Sequence, residues 1–248
     1  MIAVKTEEEQ EKMRAAGKIV GETLREIEKF IKPGISTMEL NSIIESCIRD
    51  RGAIPSFKNY HGFPAAACIS IDEVVVHGIP SLRVLKEGEI VSVDVGALID
   101  GFHGDAARTF PVGKVSEQKL KLIEVTRECF FKGIERVKEG ARLGDVSSAI
   151  QKHAESHGYG VVREMVGHGI GRKLHEPPDV PNYGVEGSGP VLKAGNCLAI
   201  EPMINMGTPR VSIDPNDGWT CRTRDLMPSA HYENTVIVGA DGAEILTL

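Results

Sequence analysis

Apolar residues recur at threes and fours through residues 6–30, where Met13, Ala16, Val20, Leu24 and Ile27 mark one side of a helix. Lys32-Pro33-Gly34 stops it. Ser36 or Thr37 is placed to cap a second helix that runs to about Arg51 and ends at Gly52. Residues 53–67 lose the period and read as loop and turn, with Phe57, Tyr60, His61 and Phe63 gathered in them. The period then changes to two. Residues 67–76 read as a strand pair, His77-Gly78-Ile79-Pro80 as a turn, and residues 88–98 as a strand. In that strand Ser92, Asp94 and Gly96 share one face while Val91, Val93 and Val95 share the other, which aims an acid toward a cavity. The chain turns and continues into a second strand with Asp105 near its start.

After Gly113 the same order begins again. Residues 117–137 form an amphipathic helical pattern, Lys138-Glu139-Gly140 stops it, and residues 143–157 form a second helix ending at Gly158. Gly34 matches Gly140 and Gly52 matches Gly158, both 106 positions on. His61-Gly62 matches His168-Gly169, and VLKEG at 84–88 matches VLKAG at 191–195, both 107 on. Asp94 lies eight residues past Lys86, as Glu201 lies eight past Lys193. Landmarks at a nearly fixed lag imply a duplicated α/β unit. Two copies fall short of a solenoid, so halves at about 7–113 and 114–248 are expected to fold together as one domain spanning 1–248.

The second acids match too: His103-Gly104-Asp105 parallels His231-Tyr232-Glu233. Asp105 follows Asp94 by 11 residues and Glu233 follows Glu201 by 32, so about 21 residues, 206–226, read as an inserted hairpin or loop holding the only tryptophan, Trp219. Pseudo-twofold symmetry would set Asp94 opposite Glu201 and Asp105 opposite Glu233.

Composition narrows the classes. At 248 residues, 41% hydrophobic and 26% charged, the chain reads as a globular protein, and a net charge of −6 makes nucleic acid an unexpected main partner. No apolar run reaches membrane-spanning length and the first residues lack a signal core, so no membrane association is expected. Five widely spaced cysteines without a CxxC pair argue against a disulfide framework or a cysteine zinc knuckle and fit a reducing compartment, hence the cytoplasm.

Taken singly, each acid would be a solvated strand-end residue. Four gathered at one axis would repel and resist desolvation unless cations sit among them, and two divalent ions bring +4 against −4. His168, between glycines in GHGIG, adds the imidazole common in transition-metal sites. Two metals sharing a water can lower its pKa to near neutrality.

The set Asp94, Asp105, His168, Glu201 and Glu233, within DGFHGD, GHGIG, IEP and HYENT, resembles the metal site of the methionine aminopeptidases, in their short bacterial type I form. The resemblance runs from about Lys12 to Leu246. It implies the α/β pita-bread fold, two pseudo-symmetric αβ halves around a central antiparallel sheet with a dimetal site. It implies that Asp94 chelates one metal, Asp105 and Glu233 bridge both, and His168 and Glu201 complete the other. Glu201 would also handle the proton of the attacking water, and His77 and His175 would reach the scissile peptide. The first side chain would sit among Phe57, Tyr60, His61, Phe63, Cys68, Met203 and Trp219, whose aromatic and sulfur groups suit a thioether.

Gly96, Phe63 and Leu174 stand where some members carry Thr, Tyr and Phe, which bears on second-sphere bonding to Asp94 and on the pocket rim. The implied activity is removal of N-terminal methionine from nascent polypeptides with small second residues, by a monomer in transient contact with the ribosome. Co, Mn, Fe and Zn all fit carboxylate and imidazole ligands. The rival expectations are a prolidase or aminopeptidase P specificity on the same fold, and a binding module without catalysis.

Overall fold

The computed structural model describes residues 2–248. The first helix, α1 (Glu7–Glu28), opens on a capping box in which Thr6 Oγ1 accepts the Glu9 N–H and the Glu9 carboxylate accepts the Thr6 N–H. Ser36 and Glu39 repeat that device at α2 (Thr37–Asp50). Met13, Ala16, Val20, Leu24 and Ile27 are all buried, as the spacing predicts. The loop after α2 contains β1 (Ile54–Pro55) and a single tight turn over Tyr60–Gly62. Then come β2 (Ala67–Ile71), β3 (Val74–Val76), β4 (Ile90–Ile99) and β5 (Phe102–Pro111).

In the second half, α3 (Glu117–Ile134) and α4 (Leu143–Ser156) pack as a pair. The expected α3 ran to 137. It ends at Ile134 because Arg136 and Val137 turn back to bond Gly133 O and Ile134 O, a tighter closing turn. The strands that follow are β6 (Gly160–Val161), β7 (Gly167–Gly169), β8 (Glu176–Val180), β9 (Cys197–Ile200) and β10 (Met203–Asn205). The inserted segment is a hairpin, β11 (Val211–Ile213) with β12 (Cys221–Thr223), before β13 (Ser229–His231), β14 (Asn234–Val238) and β15 (Ala243–Ile245).

The repeat is visible bond by bond. Gly34 N–H bonds Leu85 O at 2.9 Å, and Gly140 N–H bonds Leu192 O at 2.9 Å. Leu85 N–H bonds Ile35 O, and Leu192 N–H bonds Ala141 O, each at 2.8 Å. Ser36 bridges Val84 as Arg142 bridges Val191. In each half these bonds tie the start of the second helix to the approach to an acid-bearing strand.

All pairing among these strands is antiparallel. In the first half β4 lies between β2 and β5, with Asp94 opposite Cys68 on one side and Ala107 on the other. In the second, β9 lies between β7 and β14, with His168 opposite Ala199 and Ile200 opposite Asn234. Two apolar clusters lie behind these sheets. One joins Val91, Val93 and Val95 to α1 and α2, and the other joins Leu198, Ile200 and Val236 to α3 and α4.

The halves meet along β5. Glu233 N–H donates to Ala107 O at 2.9 Å. On either side of that bond a threonine grips the opposite backbone. Thr235 Oγ1 accepts the Asp105 N–H at 2.9 Å and donates to Asp105 O at 2.8 Å. Thr109 Oγ1 accepts the His231 N–H at 2.9 Å and lies 2.9 Å from His231 O, with Ser92 Oγ at 2.8 Å. The two grips are related by a pseudo-twofold across the seam and pair Asp105 with His231, two residues from the Asp105 and Glu233 correspondence expected from sequence.

Candidate metal centre

Five expected acids and imidazoles arrive from separate elements: Asp94 from β4, Asp105 from β5, His168 from β7, Glu201 just past β9, and Glu233 between β13 and β14. All five line one cavity of about 390 Å³. Asp105, His168 and Glu233 are buried, whereas Asp94 and Glu201 are half-buried. His168 Nε2 lies 3.9 Å from Asp105 Oδ2 and 3.8 Å from Glu201 Oε1.

These separations exceed a hydrogen bond. They suit donors that share a cation, since two ligands each about 2.1 Å from an ion stand roughly 3–4 Å apart. Asp94 Oδ1, Asp105 Oδ1 and Glu233 Oε1 are buried without a hydrogen-bond partner, a costly arrangement for carboxylates left to themselves. Two sets of donor atoms converge within 4.8 Å of one another: Asp94, His231 and Glu233, and Asp105, His168 and Glu233. Oxygen-rich donors with imidazole fit divalent metal ions.

The electrostatics agree. Burial pushes Asp94 up to about 7 and Glu201 up to about 8. Burial, then the neighbouring carboxylates, push Asp105 and Glu233 well above the usual carboxylate range. Cations among them reverse that logic and favour the ionised acids. Burial also holds His168 down to about 3, so its ring is neutral. Its Nδ1 lies 2.9 Å from Gly169 O, an acceptor, so the ring proton sits on Nδ1 and the Nε2 lone pair faces the acids.

The remaining expected residues surround this floor. Phe57, Phe63 and Cys68 are buried walls, and Trp219, held by Asp217 Oδ1 accepting its N–H, meets Phe63 edge-on with ring centroids 5.2 Å apart. Tyr60 and His61 line the more exposed side, whereas Leu174 is buried in the wall with Phe57, Phe63 and Cys68. His77 follows β3 at φ 60°, a conformation that non-glycine residues hold only where surroundings enforce it. His175 Nδ1 lies 2.8 Å from Tyr60 Oη, and its ring centroid is 4.1 Å from that of His168.

Met203 is not part of the cavity wall. It is fully buried behind it, with Val75, Val76, Val162, Val211 and Cys221. The reason is local: β9 ends at Ile200 and β10 begins at Met203, so the chain bends at Glu201-Pro202 and the alternation that would put 201 and 203 on one face is reset.

Gly96 has its own explanation. A Cβ there would lie 2.8 Å from both Phe57 Cε1 and Ser56 Cβ, so the absent side chain is the space that Phe57 occupies. His231 is the residue that sequence reasoning left outside the candidate set. It is 1% exposed, and its Nε2 lies 3.4 Å from Glu201 Oε2 and 3.8 Å from Glu233 Oε2. Its signal was parity, since positions 231 and 233 share a face wherever that strand stays extended.

Residues 11–240 match the model of metallopeptidase family M24. The chain is 57% identical to a methionine aminopeptidase of Clostridium acetobutylicum, over all of this chain and 99% of that one. It is 50% identical to methionine aminopeptidase 1 of Bacillus subtilis, over all of this chain and 99% of that one. The crystal structure of methionine aminopeptidase from Rickettsia prowazekii superposes with a TM-score of 0.99 at 47% identity, covering all of both chains. A prolidase from Pyrococcus furiosus superposes at 0.81 and 26% identity, over 99% of this chain and 65% of that one.

Proposed function

From the premise that the chain belongs to metallopeptidase family M24, alongside the bacterial type I methionine aminopeptidases, we infer how its own residues carry out the removal of an N-terminal methionine. The fold is the pita-bread fold of that family, and the protein is a hydrolase acting at the first peptide bond. One observation carries the reading. The cavity that ends on four acids and His168 has a side wall of Phe57, Phe63, Cys68 and Trp219.

That wall takes an unbranched thioether through dispersion and sulfur–aromatic contact. The acids at the floor receive the substrate's α-ammonium region, so the register is set from the free N-terminus and only the first peptide bond lies over them. Asp94, Asp105, His168, Glu201 and Glu233 would hold two divalent ions, which supply Lewis acidity and a water acidic enough to ionise near neutral pH. Glu201, favoured in its ionised form once cations sit among the acids, takes the proton of the attacking water and returns it to the leaving amine.

His175, steadied by Tyr60, stands beside His168 on the side where negative charge grows on the carbonyl oxygen, and His77 faces the amide from beneath Trp219. Burial keeps His77 neutral by pushing it down to about 4, so it acts as a hydrogen-bonding group and not as a fixed cation. The residue after methionine would lie at the mouth beside the Tyr60–His175 pair, which favours small side chains there.

We place the work on nascent chains in the cytoplasm, by a monomer that is one catalytic domain and meets the ribosome transiently. All five cysteines are free and none of the described helices is long and apolar enough to cross a membrane. The test is a tripeptide panel on protein loaded separately with Mn, Fe, Co or Zn. Met-Ala-Ser should be cleaved far ahead of Leu-Ala-Ser and Met-Phe-Ser. Preference for Xaa-Pro bonds would move the reading to a prolidase-like enzyme, and absence of cleavage with every metal to a binding protein.

A further inference from the structure

Glu201 is the one acid of the cluster whose two oxygens face two different imidazoles. Oε1 lies 3.8 Å from His168 Nε2, and Oε2 lies 3.4 Å from His231 Nε2. Those two rings are not equivalent. His168 has its proton on Nδ1, against Gly169 O, and presents a bare Nε2. His231 presents Nε2 to two acceptors, Glu201 Oε2 and Glu233 Oε2, and a lone pair there would meet lone pairs. An N–H at that atom converts the repulsion into attraction. His231 Nε2 is fully buried and has no hydrogen-bond partner, so these two carboxylate oxygens are the acceptors it faces.

Its backbone is also held as firmly as that of a ligand, because Thr109 grips His231 in the way that Thr235 grips Asp105. A side chain so placed has little freedom to turn away from Glu201.

We propose that His231 is the positioning residue for Glu201: its Nε2–H holds Glu201 Oε2 and leaves Oε1 for the ion beside His168. The proposal rests on the assignment of His168 and Glu201 as metal ligands. Without His231 the Glu201 carboxylate can rotate about its terminal torsion and lose the orientation from which it accepts the proton of the attacking water. Outer-sphere partners of this kind are worth roughly 10–100-fold in metal affinity or activity.

The variants are His231→Gln, which keeps an N–H at similar reach, His231→Asn, which withdraws it by one bond, and His231→Leu, which removes it. Co(II) is titrated into each metal-free protein by calorimetry and by its visible absorption spectrum, and kcat and KM are measured with Met-Ala-Ser. His231→Leu and His231→Asn should bind Co(II) roughly tenfold more weakly, shift the visible bands, and lose roughly 10–100-fold in kcat with KM little changed. His231→Gln should restore binding, spectrum and kcat to within a few-fold of the parent.

Equal losses in Gln, Asn and Leu would overturn the proposal in favour of packing. Loss of a bound ion in the Gln variant would overturn it by making His231 a ligand, and unchanged behaviour in Leu would overturn it outright. Should Leu fail to fold, the Gln and Asn pair decides. His168→Ala is measured beside them: retained metal and activity there would undo the ligand assignment itself, whereas failure confined to the His231 variants leaves that assignment standing.

Discussion

Replacing Thr235 by Val tests whether the centre depends on the grips across the seam. Valine keeps the shape of threonine, so no cavity opens, but the hydroxyl that serves both Asp105 N–H and Asp105 O disappears. Both backbone groups point away from β4, and Thr235 is fully buried, so water does not replace the lost partner. An unsatisfied buried N–H or C=O costs about 1–3 kcal/mol, and the extra methyl returns at most about 0.8 kcal/mol. With two such groups left unpaired, the expected loss is about 1–5 kcal/mol. Urea unfolding of the metal-free protein measures it as a lower midpoint at unchanged slope. Co(II) should also bind roughly 10–100-fold more weakly as Asp105 slackens. Thr109→Val should cost at least as much, because its hydroxyl also meets Ser92. A Thr235→Val loss below about 0.5 kcal/mol, the range of ordinary surface changes, would refute the idea that these grips hold the halves in register.

Gly96→Thr should displace Phe57 and reshape the methionine wall, raising KM for Met-Ala-Ser by roughly tenfold while Co(II) still binds; calorimetry and steady-state kinetics separate the two effects. Tyr60→Phe frees the His175 ring, and kcat should fall by less than the roughly 10²–10³-fold seen when an oxyanion donor is removed outright, with metal content unchanged. Metal loading at pH 6–7 should release protons, because burial keeps Asp94 and Glu201 protonated up to about 7 and about 8 in the metal-free protein; calorimetry in buffers of differing ionisation enthalpy measures the release. The same groups stand above their unfolded values near 4, so their stabilising effect is complete below about pH 4 and fades as pH rises toward 8. Urea midpoints of the metal-free protein should drop across that window, and a rise would contradict the burial of these acids.

Much of this was legible in the chain because the controlling signals are local. Helix spacing, the capping residue Ser36, and the lag of 106–107 between halves needed no tertiary knowledge. Asp94 was legible from strand alternation, and Asp105, Glu201 and Glu233 from the matched landmarks of the repeat. What escaped depends on where alternation breaks or on what a distant segment fills. Met203 is expected in the wall only through the family resemblance, and the bend at Glu201-Pro202 instead sets it in the apolar cluster with Val75, Val76 and Val162. Gly96 looked like a missing hydrogen-bonding group, and only the path of the loop carrying Phe57 shows that it is occupied space. His231 stayed in the shadow of Glu233, since sequence gives no sign of which residue Thr109, 122 positions earlier in the other half, will hold.

The seam along β5 also bears on how such a hydrolase stays harmless while it is being made. Asp94 and Asp105 are translated more than a hundred residues before Glu201, Thr235 and the rest of their partners. Until the second half has been synthesised and docked, the first-half acids face no His168, no Glu201 and no opposing grip. A chain interrupted before Glu233 therefore lacks part of the donor set, and one interrupted before Thr235 lacks the grip on Asp105.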